Sequence, residues 1–334
     1  MTRRWPKIGL TALTIAVACA AVFAWRQLSS PSIEPYRALI LPASRGPVEA
    51  RYLGVTSVSI GDGESRLLID GYFSRPGIAR LLLGEVAPDP ERIRPALERA
   101  GIRHLDAVLV AHSHIDHALD APAVAAMTGA VLVGSRSTAN VGLGARLPAA
   151  RIRVVRGGER LRLGRFLVTV YRSRHPTPDP FAGNIAAPLP MPAPADAFRE
   201  GGSYSYLVER DGLAVLFHSA ADFVPGMYRG VRADVVFLAI GGLGGRDEAF
   251  AEAYWRAVVR ATGARLVIAT HWDNLLQPLD RELEPMPPLI DDFPLAIGRI
   301  ERRARRDGIR FGLMRAFAPI ALAPTAMPPD RETP

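Results

Sequence analysis

Three histidines and an aspartate stand within six positions, in the run His112-Ser113-His114-Ile115-Asp116-His117. The chain has seven histidines in 334 residues, so a chance cluster of this density is remote. Imidazoles crowded together cost free energy at neutral pH unless a cation organises them. Neutral imidazole combined with carboxylate is a ligand set that suits zinc, iron or manganese. The single cysteine, Cys19, lies in an N-terminal apolar run, so thiolate metal sites and intramolecular disulfides are excluded from the body of the chain. A metal held this way can activate water for hydrolysis with no serine or cysteine nucleophile.

The HxHxDH run resembles the signature of the metallo-β-lactamase superfamily, and the other histidines extend the likeness over about residues 50 to 275. Asp70, closing Leu67-Leu68-Ile69-Asp70, looks like the family's first aspartate. His175 follows a strand where the third histidine ligand is expected, and His271 in Ala269-Thr270-His271-Trp272-Asp273 looks like the last. Gly241-Gly242 is similar to a loop of lactonase-like and phospholipase-D-like members. The resemblance implies an α/β fold, a four-layer αββα sandwich, with one or two divalent ions, zinc first and manganese or iron next. It implies that His112, His114 and His175 bind one ion and Asp116, His117 and His271 a second. Asp116 would fix an ion and its hydroxide, and Asp70 would orient ligand histidines; both are the expected catalytic aspartates. The run His218-Ser219-Ala220-Ala221-Asp222 departs from the family's Ser-Gly-Asp-like turn by one residue. Either the turn bulges so that Asp222 bridges the ions, which is the expectation adopted, or Ala221 takes the slot and no carboxylate bridges.

These residues need strand ends to present them. Strands alternate with helices: an initial hairpin (51–60 and 66–70), a helix from Asp89-Pro90 to Gly101, and a buried strand over 107–111 that leads into the histidine run. Beyond the run follow a helix (120–128), a strand (130–133), a helix (137–143) and strands at 151–155 and 166–171. Seven prolines between Pro176 and Pro194 make a long loop that separates two halves of similar construction. This loop carries Phe181, Leu189, Met191 and Phe198, and is either an apolar lid over the cleft or a surface connection. The second half reads as strands at 203–209, 213–218 and 234–240, a helix over 247–262, a strand at 265–270, a basic helix and a strand within 308–318. His104 reads as a surface or packing residue, and His218 as either packing or a group supporting the site. Gly241 to Gly245 lacks the Lys-Ser/Thr of a phosphate loop, which excludes nucleotide binding there.

Composition sets the outer bounds. With 49% hydrophobic and 22% charged residues the chain is globular, which excludes disordered, collagenous and disulfide-scaffold classes. The net charge of +8 comes almost wholly from arginine, Lys7 being the only lysine. The arginines are scattered except for Arg299, Arg302, Arg303, Arg305 and Arg306, which read as a solvated helix face, so no nucleic-acid partner is expected. Arg3, Arg4 and Lys7 precede an apolar run from Ile8 to Trp25, the pattern of an export signal or membrane anchor. Its alternatives are retention, cleavage after Ala18-Cys19-Ala20, or lipid attachment at Cys19. The organisation expected is a signal or anchor (1–30), a linker (31–48), a metallo-β-lactamase-like domain (49–320) and a disordered tail (321–334). The function expected is hydrolysis of an ester, lactone or phosphodiester by metal-bound hydroxide. The substrate expected is a small or lipid-like molecule, met on the periplasmic side of a membrane. An iron-dependent oxygenase on the same fold and a metal-free binding protein are the alternatives.

Overall fold

Runs such as Ala107–Leu109 and Val235–Ala239 have no polar face, so strands made from them need cover on both sides. The computed structural model describes residues 25–324 and provides that cover with two mixed sheets of seven strands each. In chain order the first half contributes β1 (Val48–Tyr52), β2 (Val58–Gly61), β3 (Arg66–Ile69), β4 (Glu85–Val86), β5 (Ala107–Leu109), β6 (Val131–Gly134) and β7 (Ile152–Val154). The second contributes β8 (Arg160–Leu163), β9 (Phe166–Arg172), β10 (Ala193–Pro194), β11 (Tyr204–Arg210), β12 (Leu213–His218), β13 (Val235–Ala239), β14 (Leu266–Thr270), β15 (Arg310–Gly312) and β16 (Pro319–Leu322).

The first sheet runs β16-β1-β2-β3-β5-β6-β7 and the second β15-β14-β13-β12-β11-β9-β8. Each is antiparallel over part of its width and parallel over the rest: β3, β5, β6 and β7 in one, β12, β13, β14 and β15 in the other. Parallel strands deliver their C-terminal ends to one edge, and that edge is where loops present side chains. The sheets meet there, since Tyr204 N donates to Ala111 O and Tyr206 Oη to Val110 O, both at 2.7 Å.

Helices begin where the sequence offers caps. Asp89 caps α1 of the parallel crossovers, Pro90–Arg99; Ser135 caps Arg136–Gly144, and Asp247 caps Glu248–Trp255, each accepting from a backbone N–H of the first turn. Gly308, at φ 66°, ends the long basic helix Phe293–Asp307 in the left-handed conformation that glycine tolerates. That helix corrects the reading of its arginines as a solvated face for two of the five. Arg299 and Arg303 are buried and pair with Glu248 and Glu252 of the neighbouring helix, whereas Arg302, Arg305 and Arg306 are exposed.

The initial hairpin is also corrected. The single strand expected over 51–60 is two strands, β1 and β2, broken at Gly54-Val55, where φ is 96° and 54° and Ser57 N closes a turn onto Gly54 O. Residues 319–322 form β16 on the edge of β1, because alternating burial of Ile320 and Leu322 rewards pairing. Within 31–48, Ile33 is buried and Ile40 bridges to Leu313, so this segment packs on the body. The proline-rich loop returns through β10 to pair with β4. Apart from Trp25, the apolar run lies outside the described residues, as do residues 325–334. Among the described residues no helix is long and apolar enough to cross a membrane.

Candidate metal centre

Every residue of the histidine constellation leaves the end of a strand. His112 follows β5, and His114 starts the one-turn helix Ile115–Ala118, which carries Asp116 and His117 on adjacent positions. His175 follows β9 of the opposite sheet, and His271 follows β14 directly. Asp70 and His271 adopt φ of 55° and 56°, rare for residues with a β-carbon, and such strain is retained where the surroundings over-determine it.

The structure gathers six of the seven expected ligands into two groups. His112, His114 and His175 form one and Asp116, His117 and His271 the other, with the ligand atoms of each group within 4.8 Å of one another. The groups adjoin, the His112 and His117 ring centroids lying 3.8 Å apart. Asp116 Oδ2 sits 3.4 Å from His117 Nε2 and 3.2 Å from His271 Nε2. Asp222 belongs to neither group. Its Oδ1 accepts from Phe223 N at 2.7 Å and faces Arg174 Nε at 3.4 Å.

Asp70 stands behind His117 instead of beside the ligand atoms. Its Oδ2 lies 3.0 Å from His117 Nδ1 and accepts from Thr56 Oγ1 at 2.6 Å, while its Oδ1 accepts from Ala111 N at 2.8 Å. His117 Nδ1 is thereby the hydrogen-bonding nitrogen, and Nε2 is left toward Asp116, buried and without a hydrogen-bond partner. His112 Nδ1 is likewise buried without one. Buried polar atoms are nearly always paired, so the unpartnered His117 Nε2 beside the Asp116 carboxylate fits a bound cation.

The electrostatics agree. Burial, reinforced by His117 and its other imidazole neighbours, pushes His112 well below the usual histidine range. Burial and His114 lower His175 to about 4. Burial opposes charge on Asp116, but His117 and His271 outweigh it and hold the carboxyl far below its ordinary range. His117 is the exception: burial lowers it, yet Asp116 and Asp70 more than compensate and raise it. At neutral pH His112 and His175 are therefore unprotonated and Asp116 is ionised.

The loop around His271 is held from below. Asp273 Oδ2 pairs with the fully buried Arg75 at 2.8 Å, and its Oδ1 accepts from Val55 N at 2.7 Å and from the Tyr52 hydroxyl. Arg75 also donates to the carbonyls of Asn274 and Gln277, both at 3.0 Å. Gly241 makes room for the ring, because a β-carbon there would stand 2.7 Å from His271 Nδ1.

Of the remaining expectations, His218 is enclosed in packing. Its Nε2 donates to Asp222 O at 2.7 Å and its Nδ1 faces the hydroxyls of Ser205 and Tyr228. His104 is exposed and faces Thr128 O. The proline-rich loop touches the site through Phe181, whose ring centroid is 6.2 Å from His114, whereas Phe198 is buried in the body and Leu189 is laid over Gly144. Thr56 and Asp179, which contact site histidines, carried no signal in the sequence because neither belongs to a local pattern.

A sandwich of two mixed sheets with histidines and aspartates at the strand ends is the layout of a metal-dependent α/β enzyme. Residues 65–272, more than half of the chain, match the family model described as the β-lactamase superfamily domain, and the chain belongs to the metallo-β-lactamase superfamily. Its fold is similar to that of Igni18, a metallo hydrolase of the archaeon Ignicoccus hospitalis, at TM-score 0.53 and 15% identity over 83% of this chain and 98% of that one. It is also similar to CmlA, a diiron β-hydroxylase of Streptomyces venezuelae, at TM-score 0.52 and 16% identity, over 84% of this chain and 54% of CmlA. No curated protein sequence matches the chain.

Proposed function

We propose that this protein is a metal-dependent hydrolase that cleaves an ester, lactone or phosphodiester bond. The observation that carries the reading is the pair of adjoining histidine and aspartate groups, with His117 Nε2 buried beside Asp116 and satisfied by no hydrogen bond. A bound divalent ion supplies Lewis acidity, which lowers the pKa of water from 15.7 to about 7 and polarises the carbonyl or phosphoryl group under attack. The chain's own residues do the rest. Asp116, kept ionised between His117 and His271, would hold an ion and orient the attacking water. Asp70 and Thr56 lock the His117 ring so that Nε2 points inward. Phe181, 42% exposed beside His114, offers an apolar surface at the mouth.

The proposal extends to place and substrate. The basic start and the apolar run Ile8 to Trp25 support export or membrane attachment, and Trp25 and Leu28 at its end are largely exposed. Together with Phe181 they favour an amphiphilic substrate met at a membrane on the extracytoplasmic side. The same thiolate-free ligands also suit iron, and the fold likeness to the diiron β-hydroxylase supports an oxygenase as the second reading.

Elemental analysis of the purified protein, followed by assays on lactones, carboxylic esters and phosphodiesters of short and long chain, separates these. Zinc or manganese with hydrolysis, both lost in His112→Ala/His114→Ala, is the expected result. Iron with oxygen consumption establishes the oxygenase instead, and absence of metal a binding protein. Equal turnover of short and long chains removes the amphiphilic substrate.

A further inference from the structure

A carboxylate outside both groups reaches the site from the proline-rich loop. Asp179 Oδ2 lies 3.4 Å from His114 Nε2 and 3.3 Å from His175 Nδ1, and the side chain is only 6% exposed. Its Oδ1 accepts from Phe181 N at 2.9 Å, an Asx-type turn that fixes the carboxylate.

The geometry points to Asp179 as the positioning residue that orients His114 and His175 through their outward nitrogens and latches the proline-rich loop onto the site. Each of those nitrogens faces a second acceptor: Phe181 O is 3.4 Å from His114 Nε2, and Pro176 O is 3.1 Å from His175 Nδ1. A neutral imidazole has one N–H and one lone pair, and a nitrogen set between two acceptors carries the N–H. The lone pairs are then on His114 Nδ1 and His175 Nε2, the nitrogens left for an ion. The other group repeats the arrangement, with Asp70 behind His117 Nδ1 and Nε2 left without a partner. Each group thus has its own carboxylate behind the imidazoles. The one behind His117 is built into the sheet, and the one behind His114 and His175 arrives on a loop.

The competing arrangement puts Asp179 on the ion directly. Donors about 2.0–2.1 Å from one ion stand about 3.3–3.4 Å apart in a tetrahedron, so the two separations alone fit that case too. The second acceptors on the same nitrogens decide against it, because a nitrogen that carries a proton cannot ligate.

This inference rests on the metal reading above but not on the reaction. The test loads the full-length protein with cobalt(II) and reads affinity by chelator competition, ligand number by visible absorption, and imidazole N–H exchange from paramagnetically shifted proton resonances. Asp179→Ala is expected to weaken affinity by about 10–100-fold with the absorption bands unchanged, and to speed exchange of the His114 and His175 N–H protons. Asp179→Asn, which keeps an acceptor oxygen, falls between and serves if the alanine variant does not fold, judged by circular dichroism without metal. Asp196→Asn, an exposed change in the same loop, leaves all three readouts as they are. Unchanged affinity in Asp179→Ala overturns the inference, and so does a loss of ligand number, which makes Asp179 a ligand. A wild-type protein that takes up no cobalt overturns it together with the proposed function. The expected cobalt results without any hydrolysis overturn the function alone.

Discussion

His218 ends β12 close to the cleft, yet both its ring nitrogens are spent on Asp222 O, Ser205 and Tyr228. Burial lowers its pKa from 6.5 to about 4. The native state therefore binds fewer protons than the unfolded chain between those values. The stability this contributes is complete above pH 6.5 and is lost as pH falls toward 4, on the order of 3 kcal/mol for one fully buried group. His175 and His112 act in the same direction, so the group is isolated by difference. In His218→Gln, urea unfolding of the metal-free protein at pH 7 and pH 4.5 should show a smaller loss on acidification than wild type. An identical loss would assign the acid sensitivity elsewhere. At this scale the sequence was a good guide where residue types are scarce. His112, His114, Asp116 and His117 are conspicuous because four metal-binding types in six positions are improbable. Asp179 and Thr56 are of common types, and their meaning comes only from the fold that brings them against His114 and His117.

Among the elements, the strand-to-loop transitions matter most. The histidine run was legible as a strand end because Ala107 to Ala111 is uniformly apolar and polarity begins abruptly at His112. The break between β1 and β2 was not, since Val55 is a β-former forced to positive φ by contacts no local pattern records: its N–H is held by Asp273, 218 positions away. The β4 and β10 ribbon was hidden for a similar reason, being two residues long on each side and set by pairing across the chain. Gly241 shows what such transitions enforce. A β-carbon there would stand 2.6 Å from His271 O and 2.7 Å from its Nδ1, with little freedom in a loop anchored by Asp273 and Arg75. Gly241→Ala should displace His271, cost about 1–3 kcal/mol as an overpacked site, and release the ion of the Asp116 group while sparing the His112 group. Metal content by mass spectrometry under native conditions checks it, and retention of both ions would show that the loop yields.

For the molecule as a whole, the αββα arrangement was readable from the alternation of apolar strands and capped helices, together with a resemblance carried by few residues. What the chain's linear order concealed was how the two halves are joined. The ligands of the first group come from both sheets, His112 and His114 from the end of β5 and His175 from the end of β9. The second group likewise combines the Asp116 turn of the first sheet with His271 at the end of β14. Protein contacts across that edge include two main hydrogen bonds, from Tyr204 and Tyr206. A cation there works as a rivet through a seam. Chelation should consequently lower the unfolding midpoint, by as much as about 4 kcal/mol of stability when free ion had stood at 1,000 times its dissociation constant. Amide exchange should quicken first along that seam, at Tyr204 and Ala111, before the strand centres respond. Stripping the ion would then abolish turnover and loosen the scaffold in one event, so only readdition that restores both together would identify the rivet as the cause.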